Sequence, residues 1–383
     1  MKRLIKFLDA RLGPSLLRAE RPRAREIVSP ARFLAPGEAE SILLVRPGGM
    51  GDAVLTLPLI AALRRYFPSA RLDVLAEGRN AGVYRIAADG PTVIRYDRGP
   101  LATFRDLARR RYDLVVETEQ FHRFSTLYAN RLAPRWLVGF DTLDRRKFQT
   151  HSASYSEEDY EVYSFLRLFR ALTGVEEPFD PDRPFLEPAE DHRRWSAERL
   201  LPLGTGPLAA VMPSAGAAHR VWPAGRLAEA CLWLQERGFA LFFVGGSDAR
   251  EPARAVASVT GTGPEADFTG AASLAQTAAL LERARLCLTP DTGVLHLASA
   301  VGTPTVGLFG SGLDKKWAPP GRFHRAVFSD IPCRPCTAAG QTPRCPRDGE
   351  CMKRITVDMV TKALASLIEE RGVMTERHAG AKI

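Results

Sequence analysis

The sequence predicts an α/β protein of two doubly wound domains, each built on a parallel sheet. Three observations carry that prediction. Apolar runs of four to seven residues alternate with segments whose apolar residues recur at helical spacing. The alternation breaks once, at Pro178, Pro181, Pro184 and Pro188 among acidic residues, and then restarts. Glycines directly follow two of the apolar runs, at Gly48, Gly49 and Gly51 and again at Gly245 and Gly246, as strand-to-helix turns require.

In chain order, residues 1–40 read as a basic N-terminal arm, with nine Lys or Arg against five acids. Leu4, Ile5, Phe7 and Leu8, then Leu12, Leu16 and Leu17, line one side of a helix interrupted near Gly13 and Pro14. Lys6, Asp9 and Arg11 interrupt any apolar core, which argues against a signal peptide. The first domain, 41–175, has strands at Ser41–Arg46, Arg71–Ala76, Thr92–Tyr96, Tyr112–Glu117 and Trp136–Phe140, and one clear helix at Asp52–Phe67. Residues 176–206 read as an interdomain linker.

The second domain, 207–355, has strands at Leu208–Met212, Ala240–Val244, Asp267–Thr269, Arg285–Leu288 and Thr305–Phe309. Its helices fall at Ala224–Arg237, Ala249–Val259, Leu274–Ala284 and Gly293–Val301, with Ser273 as an N-cap. Residues 356–383 form a last helix, Val357–Arg371, and a tail that can cross back to the first domain.

Composition narrows the function classes. The chain has 383 residues, 45% hydrophobic and 25% charged, as a globular protein of about two domains does. No apolar run is long enough to span a bilayer. Six cysteines do not make a disulfide scaffold. Cytoplasmic location is the default. A net charge of +9 and a pI near 9.4 favour anionic partners. Nucleic acid is not expected among them, since no reader motif or aromatic-and-basic stacking stretch occurs.

The densest signal is TPDTGVLHLASAVGTPTVGLFG, Thr289–Gly310. A strand ends at Asp291-Thr292-Gly293 and a helix starts there. Asp291 or Thr292 can cap it, and the free amides of Thr292, Gly293 and Val294 with the helix dipole make an anion site. His296 follows about one turn on. MPSAGAAHRVWP, Met212–Pro223, supplies small residues around Ser214 whose amides stay open, and Arg220, a fork of donors suited to a diphosphate. In FVGGSDARE, Phe243–Glu251, the glycines allow a flat base to lie on the backbone, and Asp248 suits ribose hydroxyls or a helix N-cap.

In RPGGMGDAVLTLP, Arg46–Pro58, a carboxylate, Asp52, stands where such turns usually hold phosphate. It suits a general base, or merely a cap for its helix. VVETEQFHRFSTL, Val115–Leu127, adds Glu117, His122 and Arg123 after another strand, with Arg46 at the mouth of the first turn and Gly48, Gly49 and Gly51 giving close access.

The two motifs, in this content and order, resemble glycosyltransferase family 9, which contains the ADP-heptose:lipopolysaccharide heptosyltransferases. The resemblance spans roughly residues 40–365. It implies a GT-B architecture of two Rossmann-like domains facing across a cleft, and an inverting transfer that needs no metal or other cofactor. ADP-heptose would be the nucleotide-diphospho-sugar donor, held by the second domain. The acceptor would be a lipopolysaccharide inner core or another anionic glycan, with Arg46, Gly48, Gly49, Gly51, Glu117, His122 and Arg123 as its expected contacts. Family positions for the donor match Asp291, Thr292, Gly293, His296, Arg220 and Asp248; the family's catalytic base matches Asp52. Heptosyltransferase relatives commonly have an acid and glutamine-glycine where this chain has Glu-Thr-Glu-Gln, 117–120, so the acceptor stays open. Peripheral contact with the inner face of the cytoplasmic membrane is expected through the basic first domain. The alternatives are another nucleotide-sugar, or a non-catalytic protein that binds an anionic glycan. Cys333, Cys336, Cys345 and Cys351, spaced C-x2-C-x8-C-x5-C, allow a structural zinc site, free thiols, or a disulfide under oxidising conditions.

Overall fold

The computed structural model describes residues 2–24, 32–338 and 340–379, with the side chains of 2–6 and 371–379 outside that description. The expectations for Lys2, Arg3, Leu4, Ile5, Lys6 and Arg25 therefore lie outside it. The chain divides into two units, Met1–Arg85 with Asp89–Phe179, and Ile86–Ala88 with Asp180–Ile383.

The first unit runs α1 (Lys2–Ala19), β1 (Ser41–Val45), α2 (Met50–Leu55), α3 (Leu57–Tyr66), β2 (Arg71–Ala76), β3 (Thr92–Arg95), α4 (Pro100–Arg110), β4 (Leu114–Glu117), α5 (Arg123–Arg131), β5 (Trp136–Phe140), β6 (His151–Ala153) and α6 (Glu161–Thr173). Its sheet is parallel throughout, in the order β3-β2-β1-β4-β5-β6. The reversal of winding between β1 and β4 opens a crevice at their carboxyl ends, where such sheets hold ligands. β1 (SILLV) and β4 (LVVE) are mostly apolar and almost wholly buried, as strands covered on both faces by helices are. The helix expected over Asp52–Phe67 is two helices. Thr56 joins them, its hydroxyl donating to the Ala53 carbonyl at 2.7 Å, and Pro58 lacks the amide that would continue the ladder.

The arm is part of this unit. α1 runs unbroken through Gly13 and Pro14. It docks on α5 through Asp9, Gly13 and Leu17, one face at helical spacing. The Arg123 side chain packs against Gly13, where an added Cβ would meet its Cδ at 2.9 Å. Asp9 is buried, and its carboxylate accepts from the Phe124 amide at 2.7 Å, so α1 caps α5 in place of a local side chain. Phe7, Leu12 and Leu16 remain exposed.

The second unit runs α7 (Glu190–Leu200), β7 (Leu208–Val211), α8 (Ala224–Gln235), β8 (Ala240–Phe243), α9 (Arg250–Thr260), α10 (Leu274–Glu282), β9 (Leu286–Pro290), α11 (Gly293–Ala300), β10 (Thr305–Phe309), α12 (Asp314–Trp317), β11 (His324–Phe328), α13 (Glu350–Lys353) and α14 (Val357–Ala379). Its parallel sheet has the order β11-β10-β9-β7-β8. The strand expected at Asp267–Thr269 is a single parallel bridge between Phe243 and Asp267. The expected linker is mostly structured: α7 packs on α10, and Arg193 pairs with Glu282 at 2.6 Å. α14 packs on α8 and β11 of its own unit. Ser273 caps α10 in a capping box with Gln276.

The docking of α1 is pH-dependent. Burial pushes the Asp9 carboxyl up, but hydrogen bonds from His122 and the Phe124 and Arg123 amides outweigh it and hold it below the usual value of 3.8. A carboxyl depressed in the fold stabilises it above the unfolded value, and that contribution fades as pH falls through the folded value. Asp9→Asn should therefore cost about 1–2 kcal/mol at pH 7, and the gap to the parent chain should narrow below about pH 4. Urea melts across that range measure it; a gap that does not change with pH contradicts the assignment.

Candidate active site

In the first unit the site gathers at the carboxyl ends of β1, β2 and β4. The turn after β1 is shaped by a buried arginine. Arg46 is 2% exposed, yet each of its guanidinium nitrogens is engaged. Nη2 meets Glu119 Oε1 at 2.5 Å, Nη1 donates to the Thr118 carbonyl at 2.9 Å and Nε donates to the Pro47 carbonyl at 3.0 Å. Burial pulls the guanidinium pKa down, but Glu119 and then Asp52 more than offset it. Buried Asn80 donates to the Arg46 carbonyl at 2.9 Å and fixes the backbone there. Gly48 has φ +128°, and a Cβ on it would stand 2.8 Å from Arg46 Nη2 and 3.1 Å from Glu119 Oε1. Only glycine fits that position.

Asp52 is half-buried in the first turn of α2. The N-cap there is Gly49, with no side-chain cap, so the capping alternative for Asp52 is not realised. Among the described residues its carboxylate has no hydrogen-bond or ion-pair partner. It favours the charged forms of Arg46 and Arg79 and opposes ionisation of Tyr84 and Tyr155, so these four groups share its field.

The expected acceptor contacts divide. His122 lines a pocket with Gly48 and Glu119. Its ring lies between two carboxylates, 3.9 Å from Asp9 and 3.8 Å from Glu119. Glu117 is sealed away instead. It is fully buried, 3.1 Å from Arg145, and also accepts from Thr126 and the Glu119 amide at 3.1 Å each. Burial raises its pKa, opposed by Arg145. Arg46 is likewise consumed internally, and Arg123 turns to α1. The expectations for Glu117 and Arg46 are corrected for the same reason: both side chains are buried and engaged within the fold, whereas Arg123 lays its aliphatic stem on Gly13. Asp9, Asn80 and Arg145 were not singled out in the sequence, because their partners are distant along the chain.

In the second unit the donor candidates meet at the carboxyl ends of β7, β8, β9 and β10. Thr292 caps α11, its hydroxyl accepting from the Val294 amide at 3.3 Å and lying 3.2 Å from the Thr289 hydroxyl. Asp291 does not cap; it sits 3.4 Å from Arg220 Nη1. The Val294 amide is thus taken, and the Thr292 and Gly293 amides remain unpaired among the described residues. Arg220 is also held by Ser311 at 3.2 Å and by Thr337 and Thr342 at 3.4 Å each. Its guanidinium is therefore aimed before any ligand arrives. His296 is buried in α11 with its ring edge-on to Trp317, centroids 6.2 Å apart. Ser214 donates to exposed Asp248 at 3.3 Å. Asp248 caps no helix, since the N-cap of α9 is Ala249.

Cys333, Cys336, Cys345 and Cys351 line one small pocket with His219. All are free thiols. Among the described residues no group of three or more His, Cys, Asp or Glu is arranged to hold a metal ion, so the zinc expectation does not fit this geometry. The loop instead supports Arg220: the Cys336 and Thr337 amides donate to the Ser311 carbonyl at 3.1 and 3.0 Å.

The fold is that of GT-B glycosyltransferases. A family 9 glycosyl transferase from Veillonella parvula DSM 2008 superposes with a TM-score of 0.72 at 20% identity, over 86% of this chain and 98% of that one. E. coli heptosyltransferase WaaC, solved with ADP-2-deoxy-2-fluoro heptose, gives 0.63 at 19% identity, over 85% and 99%. Lipopolysaccharide heptosyltransferase 1 of Pseudomonas aeruginosa PAO1 is 27% identical over 320 residues, 77% of this chain and 85% of its own length. The family model for glycosyltransferase family 9 (heptosyltransferase) matches residues 101–345, and the chain belongs to that family.

Replacing Gly48 tests the first turn. Gly48→Ala should cost about 1–3 kcal/mol in denaturant unfolding, from backbone strain at positive φ and displacement of the Arg46–Glu119 pair. A neutral effect would mean that the turn relaxes without loss.

Proposed function

We propose that this enzyme transfers heptose from ADP-heptose to a lipopolysaccharide inner-core acceptor, with inversion at the anomeric carbon and Asp52 as general base. The observation that carries the reading is the prealigned cradle of Arg220, Asp291 and the open Thr292 and Gly293 amides, in a chain of this family. Support for the donor comes from WaaC, a relative in fold solved with an ADP-heptose analogue. Support for the acceptor class comes from the Pseudomonas relative's name.

The chemistry follows from charge. An acceptor hydroxyl attacks the anomeric carbon while the carboxylate of Asp52 takes its proton, and the carbon–oxygen bond to the diphosphate breaks. Asp52 suits this task because its lone pairs are uncommitted. The leaving ADP carries the developing negative charge. Arg220, the two free amides and His296 stabilise it in this reading, and Ser214 and Asp248 meet the ribose. The positive charge this requires is supplied by protein groups, so the reaction needs no metal. Gly48, Gly49 and Gly51 with His122 border the acceptor. The exposed Phe7, Leu12 and Leu16 of α1, interspersed with Arg11 and Arg18, suit peripheral contact with an anionic bilayer surface. That contact would be with the cytoplasmic face of the inner membrane.

Asp52→Asn should lower turnover of ADP-heptose about 100-fold or more while leaving ADP affinity near the parent value. Unchanged turnover removes Asp52 from the base role, and turnover with UDP- or GDP-sugars in preference to ADP-heptose changes the donor. If no sugar is transferred while glycan still binds, the chain is a binding protein. Arg220→Ala should weaken ADP binding by about 10- to 100-fold in calorimetry, the loss of a charge-assisted contact. An affinity within twofold of the parent would place the diphosphate elsewhere.

A further inference from the structure

Four of the six cysteines, Cys333, Cys336, Cys345 and Cys351, lie in one stretch, and the proposed transfer uses none of their thiols. All four are free and line one pocket of the second unit. The pocket, about 20 Å3, has room for a single water, so the groups around it are close neighbours. Cys333 is exposed, Cys336 and Cys345 are half-buried and Cys351 is buried. Burial raises the Cys336 and Cys351 thiols above their usual value. Among the sulfurs around them, a charge on Cys345 raises each the most, as the sulfur at the centre of the group does. The Cys345 sulfur also accepts from the Gly349 amide at 3.3 Å. An N–H aimed at a sulfur suits the thiolate, the form that attacks an oxidant.

The same stretch holds Arg220. Ala338 and Gln341 close a tight turn, each amide donating to the other's carbonyl, at 3.0 and 2.8 Å. Thr337 and Thr342 flank that turn with their hydroxyls 2.8 Å apart, and each lies 3.4 Å from Arg220 Nη2. Cys336 and Cys345 stand just outside the two threonines. Gly349 packs on the residue before Arg220: a Cβ there would stand 3.2 Å from the His219 Cα. Contacts of 3.4 Å are at the outer edge of hydrogen bonding, so a small displacement of the turn releases the guanidinium. A bond between the two sulfurs makes such a displacement. It takes Cys345 from the Gly349 amide and ties it to the neighbour of Thr337, in the narrow geometry a disulfide demands.

We propose that Cys336 and Cys345 are a reversible oxidation site: hydrogen peroxide joins them in a disulfide, and the disulfide loosens Arg220 and weakens donor binding. In the first step the Cys345 thiolate attacks one peroxide oxygen. The O–O bond breaks, and the departing hydroxide takes up the proton that the thiol gave, leaving as water. In the second step the Cys336 sulfur attacks the resulting sulfenic acid. The S–S bond forms, the S–O bond breaks, and the hydroxyl leaves with the Cys336 proton as a second water. Two thiols lose two electrons in all, and the peroxide gains them. The effect on the donor rests on the nucleotide-sugar reading; the thiol chemistry does not.

Non-reducing peptide mapping and ADP calorimetry on the full chain, before and after hydrogen peroxide, test it. Mapping should find Cys336 linked to Cys345. ADP affinity should fall about 10-fold, no more than the loss of Arg220 itself, and should return with dithiothreitol. Cys345→Ser should bind ADP like the parent, since a serine hydroxyl also accepts from the Gly349 amide, and should not respond to peroxide. Cys333→Ser should respond as the parent does. Peroxide that yields only sulfinic acids, or links to Cys333 or Cys351, overturns the proposal. So does a mapped Cys336–Cys345 link with ADP affinity unchanged, or a loss of affinity that persists in Cys345→Ser. A metal ion held by these thiols at one per chain overturns it in favour of a metal site. If the reduced chain binds no ADP, the donor reading fails and takes the control of binding with it, while mapping still decides the thiol pair.

Discussion

Every strand pair within each sheet is parallel, and that single constraint organises the rest of each unit. Parallel strands must return through crossovers, so each strand end points the same way as its neighbours and feeds a turn into the next element. Candidate groups far apart in sequence thus collect at one edge. In the second unit Arg220, Asp248, Asp291 and Ser311 follow β7, β8, β9 and β10 respectively. In the first unit the turn after β1 adjoins that after β4, because those two strands are paired.

The first unit then uses buried charge for shape. Arg46 with Glu119, and Arg145 with Glu117, are ion pairs with side chains almost wholly excluded from solvent. Such pairs gain little net stability, because desolvation of both partners opposes their attraction. Their value is geometric. Arg145 also donates to the carbonyls of Glu119 and Gln120, at 2.8 and 2.7 Å, and so holds the segment after β4 in one conformation. The Arg46–Glu119 pair does the same for the turn after β1, and Asp52 stands just beyond it with its carboxylate uncommitted. Sites that hold a reactive group steady need such supporting contacts.

Much of the fold was legible in the sequence because central strands are buried on both faces. Arg71–Ala76, Trp136–Phe140 and Thr305–Phe309 read as apolar runs and are strands with those bounds. β6 and β11 escaped notice: both are edge strands, and His151, Ser152, His324 and Arg325 break the apolar pattern. The grouping of the candidate residues in the second unit was readable because strand, turn and helix start lie within one short stretch. That in the first unit was not. Glu117 looked available until its partner 28 positions away sealed it, and Arg46 until groups 72 and 73 positions away consumed it. The arm looked separate because a basic composition says nothing about a single buried carboxylate such as Asp9.

That carboxylate has a kinetic consequence. Asp9 meets the Phe124 amide across 115 positions, and closing so long a loop must wait until α5 exists. During synthesis α1 is therefore made well before its seat on α5 exists. Its apolar residues stay uncovered for that whole interval, when a nascent chain is most open to chaperones and to neighbouring surfaces.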